Sequence, residues 1–126
     1  MKIELDNENS ASNKIISYSD DSFTLKNKLI KSNFVISKDN LIEHWSVDSY
    51  QNLALQHMDP IIAWQPEVIL LGTGNESGFQ NYKLLSYITS KQIGLEIMTT
   101  GAACRSYNLL IDEGRHVVAC LFLPSN

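Results

Sequence analysis

The chain has 126 residues, a formal net charge of −4 and a pI near 5.2. That length suits one domain burying roughly two-thirds of its unfolded surface, which needs no disulfide or metal to stay folded. The acidic balance, with no run of Lys and Arg, argues against a nucleic-acid or anionic-membrane partner, and no apolar stretch approaches the ~20 residues of a membrane span.

Residues 1–13 carry Lys2, Glu4, Asp6 and Glu8 and no apolar core, so they do not read as a signal peptide. They are expected to form a loose N-terminal tail, with 14–126 as a single domain. A cytoplasmic location follows, and with it reduced thiols at Cys104 and Cys120. The two cysteines stand apart from His44, His57 and His116 without metal-ligand spacing, so neither a zinc site nor a cofactor is expected.

Lys14 to Tyr18 reads as a short extended piece. After the turn-rich Ser19-Asp20-Asp21-Ser22, Phe23 and Leu25 alternate with Thr24 and Lys26 at the strand period. Asn27-Lys28 suits a tight turn, and Leu29-Ile30 through Phe34-Val35-Ile36 then gives the returning strand of an antiparallel β part with one face buried. Next, Asp48 or Ser49 is expected to cap a short helix carrying Tyr50, Leu53 and Ala54, which Asp59-Pro60 should stop.

From Pro66 the pattern sharpens. Val68 to Leu71 is apolar at every position, as in a strand covered on both faces. Ser77 to Gln80 fits a capping box, and Phe79, Tyr82, Leu85 and Ile88 mark one helical face. Ile93 to Met98 is the next strand. Gly101 opens a second helix, with Ala103, Tyr107 and Leu110 aligned and Gly114 placed for a left-handed cap. His116 to Leu123 forms the last strand. Alternating strands and helices give an α/β class.

Gly72-Thr73-Gly74, between a strand and a helix, partly matches the dinucleotide fingerprint, but the third glycine comes one residue late at Gly78. Glu96 is near the place of a ribose-binding acid, yet it falls inside an apolar run. A tight strand-to-helix turn is the simpler reading. Around Thr100-Gly101, small residues at a helix start leave amides open to an anion, with Arg105 nearby; close helix packing with a threonine cap is the competing account. If the two preceding strands are parallel neighbours, both Gly/Thr turns meet at one sheet edge. Cys104 lies in the first turn, where a thiol pKa falls, but no base is placed beside it, which favours a small core thiol. Arg105, Asn108 and Asp112 share a helical stripe, on which Arg105 and Asn108 are expected to be partly buried anchors.

These same segments, Pro66 to Gly74, Gly94 to Met98 and Thr100 to Leu110, resemble the Mth-like domain family, with Ser106 where that family usually has Thr. The family holds many bacterial and archaeal proteins and two named groups, the adipogenesis-associated Mth-like protein and a mitochondrial complex I assembly factor. The resemblance implies a three-layer α/β fold, a central mixed sheet of about five strands flanked by helices, and an N-terminal β-hairpin part. It further implies a last strand antiparallel to the rest. No reaction is established for the family, and its mitochondrial members act by binding proteins. It implies a shared ligand or partner surface at Gly72, Thr73, Gly74, Thr100, Gly101, Cys104, Arg105 and Asn108. Two functions stand: a non-enzymatic, assembly-factor-like protein-interaction module, or a small-molecule or phosphate-binding protein, possibly an enzyme, using the sheet edge.

Overall fold

A computed structural model describes residues 13–76 and 80–125. Three short strands, β1 (Ile15–Ser19), β2 (Ser22–Leu25) and β3 (Lys28–Ile30), form an antiparallel sheet in that order. A second sheet joins β4 (Phe34–Ser37), β5 (Leu41–Ile42), β6 (Val68–Gly72), β7 (Gly94–Met98) and β8 (Val117–Leu121) in the order β5-β4-β8-β6-β7. Tyr50–Asn52 and Leu55–Met58 are 3-10 turns, followed by helices α1 (Asp59–Ile62), α2 (Tyr82–Thr89) and α3 (Thr100–Asp112).

The central sheet is covered on both faces because its side chains alternate between two cores. Ile69 and Leu71 of β6 and Val118 and Cys120 of β8 meet Ile61, Leu84 and Ile88 on the side of α1 and α2. Val68, Leu70, Val117, Ala119 and Leu121 meet Ala103, Cys104 and Tyr107 of α3, together with Phe23, Leu25 and Ile30 of the small sheet. Three layers result, as the resemblance implies, with the small sheet sharing a layer with α3.

The expected returning strand is two strands in two sheets. Lys28–Ile30 pairs with β2, whereas Phe34–Ser37 pairs with β8. Phe34 to Ser37 are buried at every position, which a hairpin with one open face cannot provide. Asn33 fixes the crossing point: its amide group donates to the Val47 carbonyl at 3.0 Å, and its Oδ1 accepts from the Leu123 amide at 2.7 Å.

The last strand departs from the implied direction. β8 runs parallel to β6, as does β7, and β4 is the strand that opposes β8. Every residue of β8 is buried, which suits its place between β4 and β6.

The expected helix over Tyr50 to Ala54 is one 3-10 turn, because the chain is extended again at Leu53. Nor does Pro60 stop a helix: it sits in the first turn of α1, where a missing N–H costs nothing. Helix α2 starts at Tyr82, with Asn81 capping it through a 3.1 Å bond from the Leu84 amide. Ser77, Gly78 and Phe79 of the expected capping box lie outside the described residues. Tyr82 is 73% exposed, whereas Ile88 of the expected stripe is buried and Leu85 half-buried, with Leu84 completing the buried face of α2.

Helix α3 follows its pattern. Ala103 and Tyr107 are buried and Leu110 is half-buried. Gly114 has φ 76°, and the paired bonds Gly114 N–H to Ile111 O and Arg115 N–H to Leu110 O close the helix as a Schellman cap. Of the expected tail, residues 1–12 lie outside the described residues. Asn13 is held, its carbonyl accepting from the Tyr107 hydroxyl at 2.6 Å and its amide group donating to Ser37 O at 3.0 Å.

Candidate functional site

Because β6 and β7 are parallel neighbours, their carboxyl ends coincide, and the two Gly/Thr turns meet there. The Thr100 amide donates to the Gly74 carbonyl at 2.9 Å, and the Gly74 amide donates to the Thr100 hydroxyl at 2.8 Å. That hydroxyl donates in turn to the Phe122 carbonyl at 2.6 Å, just past the end of β8. In open α/β sheets, ligands enter the crevice beyond the strand ends where the winding reverses. Here β6 sits between β7 and β8, and the Thr100 hydroxyl occupies that crevice by tying the ends of β6 and β8 together.

The turns are therefore used internally. The Thr73 hydroxyl donates to Glu76 O at 2.8 Å. A Cβ on Gly72 would stand 2.9 Å from the Thr100 Cα and from a Leu121 methyl, so this glycine lets the sheet and α3 approach. Three of the four amides of the expected anion cradle are already bonded: the Ala102 amide to the Thr99 hydroxyl at 3.3 Å and the Ala103 amide to the Thr99 carbonyl at 2.9 Å, in addition to the Thr100 bond. Glu96 is exposed in mid-strand opposite Leu70, short of the turns where a ribose would lie.

The other candidate residues face β1. Asn108 lends both polar atoms of its side chain to the Ile15 main chain, Oδ1 accepting from the amide at 3.0 Å and Nδ2 donating to the carbonyl at 2.7 Å. It is the anchor expected of it. Arg105 is not, for it is exposed, with Nη1 donating to the Tyr18 hydroxyl at 3.2 Å. Gly101 makes room for that hydroxyl, which a Cβ would meet. Asp112 pairs with Lys14.

Between β1 and α3 lies a cleft of about 240 Å³, lined by residues 15–18, Cys104, Arg105 and Asn108. Burial pushes the Cys104 thiol up to about 12, with the neighbouring Arg105 charge pulling weakly the other way. At neutral pH it is a protonated, apolar wall and no nucleophile. Three of the eight candidate residues thus border this cleft, and Gly101 adjoins it through Tyr18. Ile15, Ile16 and Tyr18 were not singled out in sequence. Their one signal was the adjacent Ile15-Ile16, which breaks strand alternation, and the pairing register shifts there.

The comparisons fit this fold. Residues 15–122 match the family described as "Protein of unknown function (DUF498/DUF598)". The chain belongs to that family. It is 30% identical over 90 residues to a Francisella tularensis protein named "13 kDa major membrane protein", covering 71% of this chain and 72% of that one. It is 28% identical over 113 residues to the Xenopus tropicalis NADH dehydrogenase [ubiquinone] 1 alpha subcomplex assembly factor 3, covering 87% of this chain but 61% of the relative. Among solved structures, a Xanthomonas campestris protein superposes with TM-score 0.81 at 34% identity, over 90% of this chain and 86% of that one. A Bordetella pertussis Mth938-like domain has TM-score 0.76 at 20% identity, over 92% and 89% of the two chains, a likeness of fold alone. Among the described residues no helix is long and apolar enough to cross a membrane.

Proposed function

We propose that the chain is a cytoplasmic protein-interaction module, assembly-factor-like and without enzymatic activity of its own, whose partner docks on the side where β1 meets α3. The observation that carries this reading is the use of the Thr100 hydroxyl. The group best placed to greet a ligand at the sheet's carboxyl edge is buried and bonded to Gly74 and Phe122. Nucleophilic catalysis needs a nucleophile activated by a base or a lowered pKa, whereas burial pushes the Cys104 thiol of this site up. Relatives named as assembly factors support a role in binding proteins, although the chain spans only about three-fifths of their length.

A second reading, a small-molecule or phosphate-binding protein, rests on the cleft beside Arg105. One experiment addresses both. The tagged chain and its Arg105→Glu variant are captured from cells at native expression, and bound proteins and small molecules are identified by mass spectrometry. The expected result is a protein partner recovered with the wild type and lost with Arg105→Glu at an unchanged melting temperature. A partner retained by the variant refutes this surface. Millimolar ATP, NAD, NADP or FAD should leave the melting temperature unmoved. A ligand at a hundred times its Kd would add about 2.7 kcal/mol, several degrees for a domain of this size, and such a shift would favour the second reading.

A further inference from the structure

The cleft between β1 and α3 has a chemistry more particular than that of a generic docking surface. Its volume, about 240 Å³, falls below the roughly 300–1,000 Å³ of sites that enclose drug-sized molecules. It suits a group of one residue's size. The walls are mainly apolar, from Ile15, Ile16 and the protonated Cys104 thiol.

Among the described residues one charge, Arg105, borders it. The Arg105 side chain bonds to a neutral phenol, and the ion pairs among the described residues, Lys14–Asp112, Lys28–Glu43 and Arg115–Glu67, leave it out. The chain has 14 acidic residues to 10 basic ones, yet among the described residues no carboxylate pairs with Arg105. Because Tyr18 accepts from Arg105, its own O–H proton is available to donate. The remaining guanidinium N–H groups and this hydroxyl form a donor pair beside an apolar recess. Asn108, with both polar atoms engaged on Ile15, borders the recess without competing for a ligand.

A carboxylate joined to an aliphatic side chain satisfies both features, and a C-terminal residue carries both on a single α-carbon. We propose, building on the protein-interaction reading, that this cleft captures the free C-terminus of a partner polypeptide ending in an aliphatic residue. The side chain fills the space between Ile15, Ile16 and Cys104, and the terminal carboxylate pairs with Arg105 and the Tyr18 hydroxyl. The edge strand supports the residues that precede it. β1 has β2 as its single strand neighbour, and its outer side already takes an amide partner at Ile15 in the manner of an added strand.

The test is an NMR titration of the isotope-labelled chain with acetyl-Gly-Gly-Leu as the free acid and as its C-terminal amide. Saturable shifts are expected at the amides of Ser17, Tyr18, Cys104 and Arg105. The amide, which has the same shape without the charge, should bind at least about ten-fold more weakly, as should the free acid to exposed-site variant Arg105→Gln. Arg105→Lys should recover part of the loss. Equal binding of acid and amide, shifts centred elsewhere, or no saturable shift up to the peptide's solubility limit would overturn the proposal. Isovalerate binding as tightly as the peptide would overturn the polypeptide assignment in favour of a small carboxylic acid. If the peptide fails while Arg105→Glu still abolishes partner recovery, the module reading stands and the C-terminal anchor falls. If Arg105→Glu leaves the partner bound, it is the module's docking surface that falls.

Discussion

Gly72 and Gly101 both allow a close approach, but they differ in what would have to move if each carried a methyl group. At Gly72 the obstacles are the Thr100 backbone and a fully buried leucine, each 2.9 Å from the added carbon. Neither can withdraw without parting α3 from the sheet, so Gly72→Ala is expected to cost about 1–3 kcal/mol. At Gly101 the obstacle is the outer end of the Tyr18 ring, a side chain 41% exposed and free to turn outward. Alanine is also favoured over glycine within a helix by about 1 kcal/mol. Gly101→Ala should therefore keep or slightly raise stability while displacing Tyr18 from Arg105. Urea unfolding of the two variants, with the Tyr18 ring resonances as a second readout, separates these outcomes. Equal losses would mean that the Tyr18 ring cannot turn aside from a methyl group at position 101.

The hairpin sheet is fastened to α3 through the pairing of Asn108 with Ile15, assisted by Tyr107 on Asn13 and Lys14 on Asp112. Asn108→Asp keeps the shape of the side chain but sets a carboxylate against the Ile15 carbonyl, where Asn108→Ala only removes the bonds. The aspartate variant is expected to be the less stable of the two, with a loss of about 1–3 kcal/mol. Amide exchange at Ile15 and Tyr18 should accelerate while exchange at Ile69 and Val118 changes far less. Uniform acceleration would mean that hairpin and sheet open as one unit. At this level the sequence was informative wherever its signal is local. Val68 to Leu71 is buried throughout and so is a central strand, and Gly114 ends α3 as a left-handed cap. It was silent where the partners are distant. Tyr18 lies 87 positions from Arg105, and Ile15 lies 93 from Asn108, so no window of periodicity contains either pair. Leu29 to Ile36 misled because hydrophobic spacing cannot tell one strand from two that enter different sheets.

For the molecule as a whole, burial of acidic hydrogens on both sides of the sheet makes stability depend on alkaline pH. Burial raises the Cys104 thiol from 9.0 to about 12, and Cys120 and Tyr107 shift in the same direction. A group whose folded pKa exceeds its unfolded one gives its full contribution below the unfolded value and loses it as pH climbs toward the folded value. The urea midpoint should hold near neutrality and fall from about pH 9 upward, with Cys104→Ala and Cys120→Ala each flattening part of the slope. A midpoint that stays level to about pH 10.5 would remove the buried thiols from this account. Sheet order was the least legible property of all. The unbroken apolar run Val117 to Leu121 marks β8 as an inner strand, as Val68 to Leu71 does β6, yet nothing in it names β4 and β6 as its neighbours.

That position of β8 bears on how the chain comes into being. Synthesis proceeds from the amino end, so the middle strand of the large sheet is also the last of the strands to be made. Until it arrives, β4 and β6 have no common neighbour, and each offers an open row of amides and carbonyls to any extended chain close by. The decisive pairing joins residues 34–37 to 118–121, a closure across most of the chain that is slow by its nature. A nascent polypeptide stalled before Val117 would carry two half-sheets that cannot meet, and it would depend on holdase chaperones to keep their edges from foreign strands.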